Sequence, residues 1–595
     1  MKNIKQNQNN KQKTRLVGVV AYRGKNPILK PCDRKIADNL YNLLPASSTQ
    51  PYKEGDVVVV QINSNEDKSL ATVKRILGNK KAPGILSLIS ICEKGLSENF
   101  SQAAINCTIG ATVPSLGNRE DLRNIPLVTI DGEDARDFDD AVFAEPTKDG
   151  GFHLVVAIAD VSWYVRPGTA LDREAYLRGN STYFSDKVVP MLPEALSNEL
   201  CSLKPNVERA CLAFHLWIDK DGNLKQQRIT RGLMKSVARL TYNQVQAAKD
   251  GNPDTEIAPL MDNVINPLYA AYNVLRAARE KRGAMDMDAA EVKAAVDSTT
   301  GQVTGINKRT RIDSHRLIEE FMVLANVAAG TTLKEKGANF PSRIHAAPPS
   351  EEKVDLLREY LETLNIALPT SVEQASVFND ILKKTAGTPQ GQAIEQAILQ
   401  IQAKAAYATE NIGHYGLALL IYAHFTSPIR RYADLLVHRA LVDAYNLGEG
   451  GLNDYQQSHL DDMCLHISGT ERISDQAERN ATARMMADFL SHHAPDTVFS
   501  GHISGTSKGG VYIQLDDTGA TGFLPLSSLP RDFYEFNETH RMVRGRNTGN
   551  TYRAGDAISV KINAANAMTG ELTFTPAADA ASAVPKAIKP PRLGG

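Results

Sequence analysis

Cysteine is scarce in this chain: there are six in 595 residues, at Cys32, Cys92, Cys107, Cys201, Cys211 and Cys464. None forms a CxxC pair or a Cys/His cluster. This excludes a disulfide scaffold and a structural zinc site, and reads as the reduced thiols of a cytoplasmic protein. Long hydrophobic runs are also missing, and no stretch approaches the ~18 apolar residues of a membrane-spanning helix. The amino terminus, MKNIKQNQNNKQKTR, lacks the apolar centre of a signal peptide. No charge of one sign dominates: 67 basic and 68 acidic residues give a net charge of -1. Any polyanionic partner must therefore be held by local positive patches. At 42% hydrophobic and 23% charged residues, a disordered or fibrous chain is excluded. What remains is a soluble globular protein, long enough for about two to four domains.

Residues 1–14 and 580–595 carry lysine and arginine without acids, and the tails 1–14 and 578–595 are expected to be disordered. Residues 15–77 alternate with period two in RLVGVVAYR, DVVVVQINS and SLATVKRIL, broken by Pro51 and Gly55-Asp56, which predicts a small antiparallel barrel. Residues 496–577 repeat this pattern in GHISGTSKGGVYIQL, TGFLPLSSL and AGDAISVKI. Gly55-Asp56 before VVVVQI is echoed by Gly555-Asp556 before AISVKI, a weak repeat that suggests two barrels of one type. Residues 126–492 combine strand patterns (HLVVAIADV, ACLAFHLWID) with helical ones (IEEFMVLANVAAGTTL, QAIEQAILQIQAKAAYA). They read as one large mixed α/β catalytic domain with a helical C-terminal part. Residues 78–125 read as a connector, too short and too helical for another barrel.

The densest chemistry lies in TIDGEDARDFDDAV, where Asp131, Asp137, Asp139 and Asp140 share one loop with Glu133 and Asp134. At ~4 Å and an effective dielectric near 20, each carboxylate pair costs roughly 4 kcal/mol. Such a loop either splays into water or binds cations. The interleaved Ile130, Phe138, Ala141 and Val142 tie it to a core. A calcium EF-hand loop fails, because Arg136 and Val142 stand where glycine and glutamate are required. The donors are all hard oxygens, which favours magnesium or manganese and, with them, phosphate chemistry. A second motif, HFTSPIRRYADLLVHRAL, offers Thr426 or Ser427 as an N-cap and Pro428 at the first helical position. Arg430 and Arg431 then fall in the first turn, against the helix dipole, which suits an anion site or ion pairs to the acidic loop. Taken alone, Tyr183 reads as a half-buried strand residue, and Glu319 and Glu320 as acids opening a helix. His345 and His438 read as structural, and Arg439 as a surface residue.

The stretches IDGEDARDFDDAV, IADVSWYVRPGTALDREAYLRGNSTYF, VVPMLPEALSNELCSL, RLIEEFMVLAN and HFTSPIRRYADLLVHR resemble the ribonuclease II and ribonuclease R family of 3′-to-5′ exoribonucleases, the RNB-domain enzymes. The resemblance covers most of residues 126–490. It implies a multidomain α+β chain with a cold-shock-type OB barrel (15–77), a central RNB domain (126–492) and an S1-type OB barrel (496–577). It implies metal ligation by Asp131, Asp137, Asp139 and Asp140, with Asp139 and Arg430 catalytic. RNA contacts carry over to Tyr183, which stacks on the terminal base, and to Tyr242, Glu319 and Glu478. Met287 stands where the family has a second clamp aromatic, and only one N-terminal barrel is evident. The implied activity is magnesium-dependent, with manganese possible. It is processive hydrolysis of single-stranded RNA from a free 3′ end to 5′-nucleoside monophosphates, by a monomer. The alternative is a non-hydrolysing RNA-binding regulator on the same fold, against which stand all four aspartates and Arg430. A C-terminal tail without a long lysine-rich extension leans towards ribonuclease II, which stalls at duplexes.

Overall fold

The structure is a computed structural model that describes residues 15–44, 51–63, 69–287, 291–297 and 299–577. Both tails expected to be disordered, 1–14 and 578–595, lie outside the described residues. Near the amino terminus five strands close into a barrel in the order β1-β2-β3-β5-β4. They are β1 (Arg15–Arg23), β2 (Asn26–Pro31), β3 (Tyr41–Leu43), β4 (Asp56–Ile62) and β5 (Leu70–Asn79). The four consecutive valines of β4 serve two cores. Val58 and Val60 fill the barrel with Val20 and Leu29, while Val57 and Val59 point outward onto Ile85 and Ile89 of helix α1 (Ile85–Lys94). A strand can be apolar on both faces only where both are covered. The connector therefore begins with a helix packed as the barrel's outer cover.

Five strands close a second barrel near the carboxyl terminus: Val498–Ser507, Gly510–Leu515, Thr521–Pro525, Ala557–Asn566 and Glu571–Pro576. The echoed Gly-Asp pairs occupy equivalent corners. Gly55 (φ 84°) donates to Val20 O and Gly555 (φ 96°) to Ile503 O, so both positions need the left-handed backbone that glycine adopts freely. Asp56 accepts from the Lys53 N–H, as Asp556 does from that of Arg553.

Between the barrels lies a seven-stranded sheet of β6 (Glu120–Asp121), β7 (Val128–Asp131), β8 (Asp140–Pro146), β9 (Phe152–Ala159), β12 (Glu208–Ile218), β13 (Leu224–Lys235) and β14 (Ala238–Thr241), ordered β14-β7-β8-β9-β12-β13-β6. A two-stranded hairpin, β10 (Thr182–Tyr183) and β11 (Val188–Val189), projects from the β9–β12 connection together with helix α2 (Ala170–Arg178). One sheet face, including Val156 and Phe214, packs on α3 (Asn266–Arg282) and α4 (Asp313–Glu335). The other, including Val155 and Ala213, packs on α5 (Tyr432–Ala444) and α6 (Leu460–Ser491). The expected helix over IEEFMVLANVAAGTTL lies within α4. The one over QAIEQAILQIQAKAAYA stops at Ile401, because Ala406–Ala408 pairs as a strand with Ser342–Ile344.

Arg439, expected at the surface, is fully buried. Helix α5 is enclosed almost all round, so a charged side chain on it must be paired. Arg439 donates to Asp172 Oδ1 at 2.7 Å, Val165 O at 2.6 Å and the Tyr432 hydroxyl at 3.1 Å. Arg439→Ala leaves Asp172 without this partner, and a loss of about 3–5 kcal/mol is expected in chemical denaturation. His438 is core, as expected, with Nε2 2.7 Å from Phe425 O.

Candidate active site

Asp131 ends β7 and Asp140 begins β8, so residues 132–139 cross between the two strands at one end of the sheet. The crossing is held from behind. The Ser202 hydroxyl donates to Arg136 O at 2.7 Å and accepts the Phe138 N–H at 3.1 Å. Leu203 N–H bonds Phe138 O and Ala159 N–H bonds Asp139 O, both at 2.9 Å. Arg239 donates to Gly132 O and Glu133 O at 2.8 and 2.6 Å, with its guanidinium over the Phe138 ring. These bonds make the acidic loop a fixed feature rather than a solvated one.

The carboxylates crowd one another. Asp139 is 5% exposed; its Oδ1 accepts the Ile429 N–H at 2.9 Å, while its Oδ2 is buried without a hydrogen-bond partner. Burial raises the Asp139 carboxyl well above the usual range, opposed by Arg430 and the Ile429 N–H and reinforced by Asp137 and Asp140. Burial, with Asp131 next, pushes Asp140 up to about 7. Asp131 is raised by burial, against the Gly132 N–H, and by Asp137. Among the described residues no three acidic, histidine or cysteine side chains converge into a ligand shell as they stand. Asp137 Oδ2 accepts the Tyr183 hydroxyl at 2.9 Å.

The arginine motif differs locally from the expected helix start. Helix α5 begins at Tyr432, so neither Thr426 nor Ser427 is its N-cap. The chain is held extended at Arg431 by a bridge to Asn180: Ser181 N–H bonds Arg430 O and Tyr432 N–H bonds Gly179 O. Asp434 in the first turn takes the Ser427 N–H at 2.8 Å and two donors of Arg431 at 2.7 and 2.8 Å. Arg431 is thereby tied off. Arg430 keeps a half-exposed side chain, with Nη2 3.2 Å from Ser427 Oγ and Nε 4.0 Å from Asp139 Oδ2.

Tyr183 sits on hairpin β10–β11, and its N–H donates to Glu478 Oε1 of α6 at 2.7 Å. Tyr183, Glu478 and Arg430 line a cleft of about 220 Å³ together with Asn180, Glu471 and Asp475. The last three were not singled out from sequence. The i, i+4, i+7 spacing of Glu471, Asp475 and Glu478 along one helix face was the available signal. Seven expected site residues do not line this cleft: the four aspartates, Asp131, Asp137, Asp139 and Asp140, and also Glu319, Tyr242 and Met287. Glu319 lies in the second turn of α4, not at its opening, and is ion-paired to Arg279 and Arg311. Tyr242 follows Thr241, the register partner of Asp131, and its ring stacks on His315 with centroids 4.2 Å apart. Met287 is half-buried against the helical cluster containing Leu357, Tyr360 and Phe378. His345 is structural: Nδ1 accepts the Gly416 N–H and Nε2 faces Ala403 O, both at 3.0 Å.

Comparison with known proteins bears on this geometry. The RNB domain family matches residues 119–446, the S1 RNA binding domain 492–574 and the cold shock domain 28–101. Ribonuclease R of Vibrio parahaemolyticus is 38% identical over 91% of this chain and 67% of its own length. The Aquifex aeolicus enzyme of the same name is 35% identical over 94% and 80%. In fold, the chain is similar to Mycoplasma genitalium RNase R in complex with ribose methylated single-stranded RNA. The TM-score is 0.88, with 24% identity over 95% of this chain and 90% of that one. It is also similar to yeast Ssd1, described as a pseudonuclease, at TM-score 0.69 and 17% identity over 89% and 67%. Both of these curated relatives are ribonuclease R enzymes. With its RNB domain spanning more than half its length, this chain belongs to the ribonuclease II and ribonuclease R family, and it is a 3′-to-5′ exoribonuclease.

Proposed function

We propose that this exoribonuclease uses magnesium, which manganese can replace, held by Asp131, Asp137, Asp139 and Asp140. It acts processively on single-stranded RNA with a free 3′ end and releases 5′-nucleoside monophosphates. The observation that carries this reading is Asp139 Oδ2: a buried carboxylate oxygen without a hydrogen-bond donor, crowded by Asp137 and Asp140 and faced by Arg430. A buried anion left so is costly unless a cation compensates it. The donor set of hard oxygens fits magnesium. A cation held by these aspartates would supply charge neutralisation at the phosphate and would acidify water there.

The chain's own residues do the rest. The Ile429 N–H fixes Asp139 through Oδ1 and leaves Oδ2 for the site. Ser427 steadies Arg430, whose free guanidinium nitrogens are placed to donate to phosphate oxygens as charge develops there. Tyr183 offers its ring to the terminal base, with Glu478 holding its backbone and Asp137 its hydroxyl. By the family resemblance, Tyr242 and Glu319 contact the RNA and Met287 stands in for the second clamp aromatic, although none of the three lines the Tyr183 cleft.

Retention of all four aspartates and of Arg430 favours hydrolysis over a binding-only role, although Ssd1 carries this fold as a pseudonuclease. The discriminating experiment is mononucleotide release from labelled RNA with magnesium. A binding-only protein would retain the RNA uncut with or without chelator. The protein works as a monomer in the cytoplasm. Its six cysteines are free, and among the described residues no helix is long and apolar enough to cross a membrane.

Delivery of the strand falls to the barrels. On the C-terminal one, Tyr512 and Phe523 pack ring to ring at 5.2 Å, and Lys508 is exposed in the turn between the strands Val498–Ser507 and Gly510–Leu515. Removing the whole barrel would strip Met486, Ala487 and Leu490 of α6 from its core, so single substitutions are the cleaner probe. Lys508→Gln is expected to lower the slope of log affinity against log salt by roughly 0.7 if one phosphate contact is lost. Tyr512→Ala is expected to weaken binding by about 1–3 kcal/mol with that slope unchanged. Filter binding across a salt series checks both.

A further inference from the structure

Helix α1 is apolar in composition, yet it carries two serines, Ser87 and Ser90, that are completely buried. Each serves a different neighbour. Ser87 Oγ donates to Asp186 Oδ1 at 2.5 Å, and Asp186 lies in the turn between β10 and β11, the hairpin that bears Tyr183. Ser90 Oγ accepts from Arg484 Nη1 of α6 at 2.6 Å. Arg484 is 2% exposed and also donates to Glu93 Oε2 at 2.7 Å, Cys32 O at 3.3 Å and Met568 O at 2.8 Å. One guanidinium thus joins α6 to α1, to the first barrel and to the second.

The apolar contacts follow the same path. Ile89 packs into the outer face of the first barrel, while Ile91 packs against Phe184 and Val189 of the hairpin and Ala477 and Ala481 of α6. Beyond α1 the chain keeps its hold. Arg178, directly before the hairpin, donates to Ser97 O at 2.8 Å, Asn99 O at 2.7 Å and Pro190 O at 3.0 Å, with its guanidinium 3.8 Å above the Phe100 ring. Lys187 of the hairpin turn pairs with Glu98 at 3.4 Å.

A hairpin with strands of two residues has little stability of its own, and its position is set by what it docks on. Here the dock is shared: α6 takes Tyr183 N–H through Glu478 and Thr182 through Ser474, and α1 takes the hairpin turn through Ser87. We propose that α1 is a strut that places the Tyr183 hairpin relative to the aspartates, with Ser87 a positioning residue acting through Asp186. The first barrel and the terminal-base clamp are thereby one mechanical unit. This rests on Tyr183 being the residue that stacks on the terminal base.

Loosening the strut removes none of the aspartates and not Arg430, but lets Tyr183 drift from Asp137 and Glu478. Long RNA, with many other contacts, barely registers the change. A short oligonucleotide near the limit of digestion depends on the clamp. The test uses the full chain with Ser87→Ala, Asp186→Ala, Asp186→Asn and Tyr183→Ala, on one short and one long unstructured RNA. Ser87→Ala and Asp186→Ala are expected to raise KM for the short RNA about tenfold and to leave longer limit products, with kcat on long RNA within about twofold. Asp186→Asn keeps the acceptor oxygen and is expected to match the parent. The inference is overturned if Tyr183→Ala impairs short substrates but Ser87→Ala and Asp186→Ala do not. It is equally overturned if these two lower kcat on short and long RNA alike, in step with a lower Tm. If Tyr183→Ala leaves short substrates unaffected, the clamp assignment itself fails and the strut falls with it.

Discussion

Asp139→Asn is expected to reduce mononucleotide release on the order of 10³–10⁴-fold, while affinity for single-stranded RNA stays within about threefold of the parent. The amide still accepts the Ile429 N–H through its oxygen, so the loop keeps its shape. What is lost is the anionic Oδ2, the atom with no donor in the protein. On the proposed reading affinity comes from the barrels and the Tyr183 cleft, whose lining does not include Asp139. Because that buried charge is a burden without a cation, the metal-free variant is expected to be at least as stable as the metal-free parent at neutral pH. The pH dependence has a definite sign. Asp140 has its folded value pushed up from 3.8 to about 7, so the folded state binds this proton more tightly than the unfolded state. Its contribution to stability is therefore lost as pH rises from about 4 through about 7. The metal-free parent is expected to melt at a lower temperature just above this window than inside it, and magnesium is expected to recover the difference. Calorimetry with and without chelator checks both expectations. A metal-free Asp139→Asn protein that melts well below the parent would contradict them.

Arg430→Ala is expected to lower kcat about 10²–10³-fold with little change in KM, the cost of removing one donor aimed at developing charge. The neighbouring arginine supplies the contrast. Arg431 is half-buried and paired with the fully buried Asp434, so Arg431→Ala should damage the fold before it damages the chemistry. Arg430 is half-exposed, with its nearest carboxylate oxygen at 4.0 Å, so its loss should spare the fold. Single-turnover rates, with Tm recorded for each variant, separate the two. Equal Tm losses at both positions, or a full rate in Arg430→Ala, would remove Arg430 from the chemistry.

Local pattern carried much of this structure. The alternation in RLVGVVAYR and GVYIQL located both barrels, and the Gly-Asp echo proved to be one corner built twice, down to the Asp56 and Asp556 hydrogen bonds. The aspartate spacing pointed to the candidate site because carboxylates at that density leave few physical options. What was not legible depended on distant partners. Pro428 after Thr426 and Ser427 has the form of a helix start, but pairing of Arg431 with Asn180, remote in sequence, holds that chain extended and delays the helix. Arg439 looks like a surface residue until Asp172 and Val165 arrive from another element. Helix α1 reads as an unpatterned connector because its two apolar faces serve two different cores, and its serines have partners about a hundred residues or more away.

The central claim is that the aspartates and Arg430 form a cation-dependent site that shortens RNA one nucleotide at a time from its 3′ end. The most direct test is a time course on one unstructured RNA, labelled in parallel at its 5′ and 3′ ends, with magnesium, manganese, or chelator. The account predicts that the 3′ label leaves at once as a 5′-nucleoside monophosphate, while the 5′ label shortens to a small limit product. Both should stop on chelation and resume when magnesium is restored. Mononucleotide release at an undiminished rate in chelator, internal cuts, or bound RNA that never shortens would contradict it.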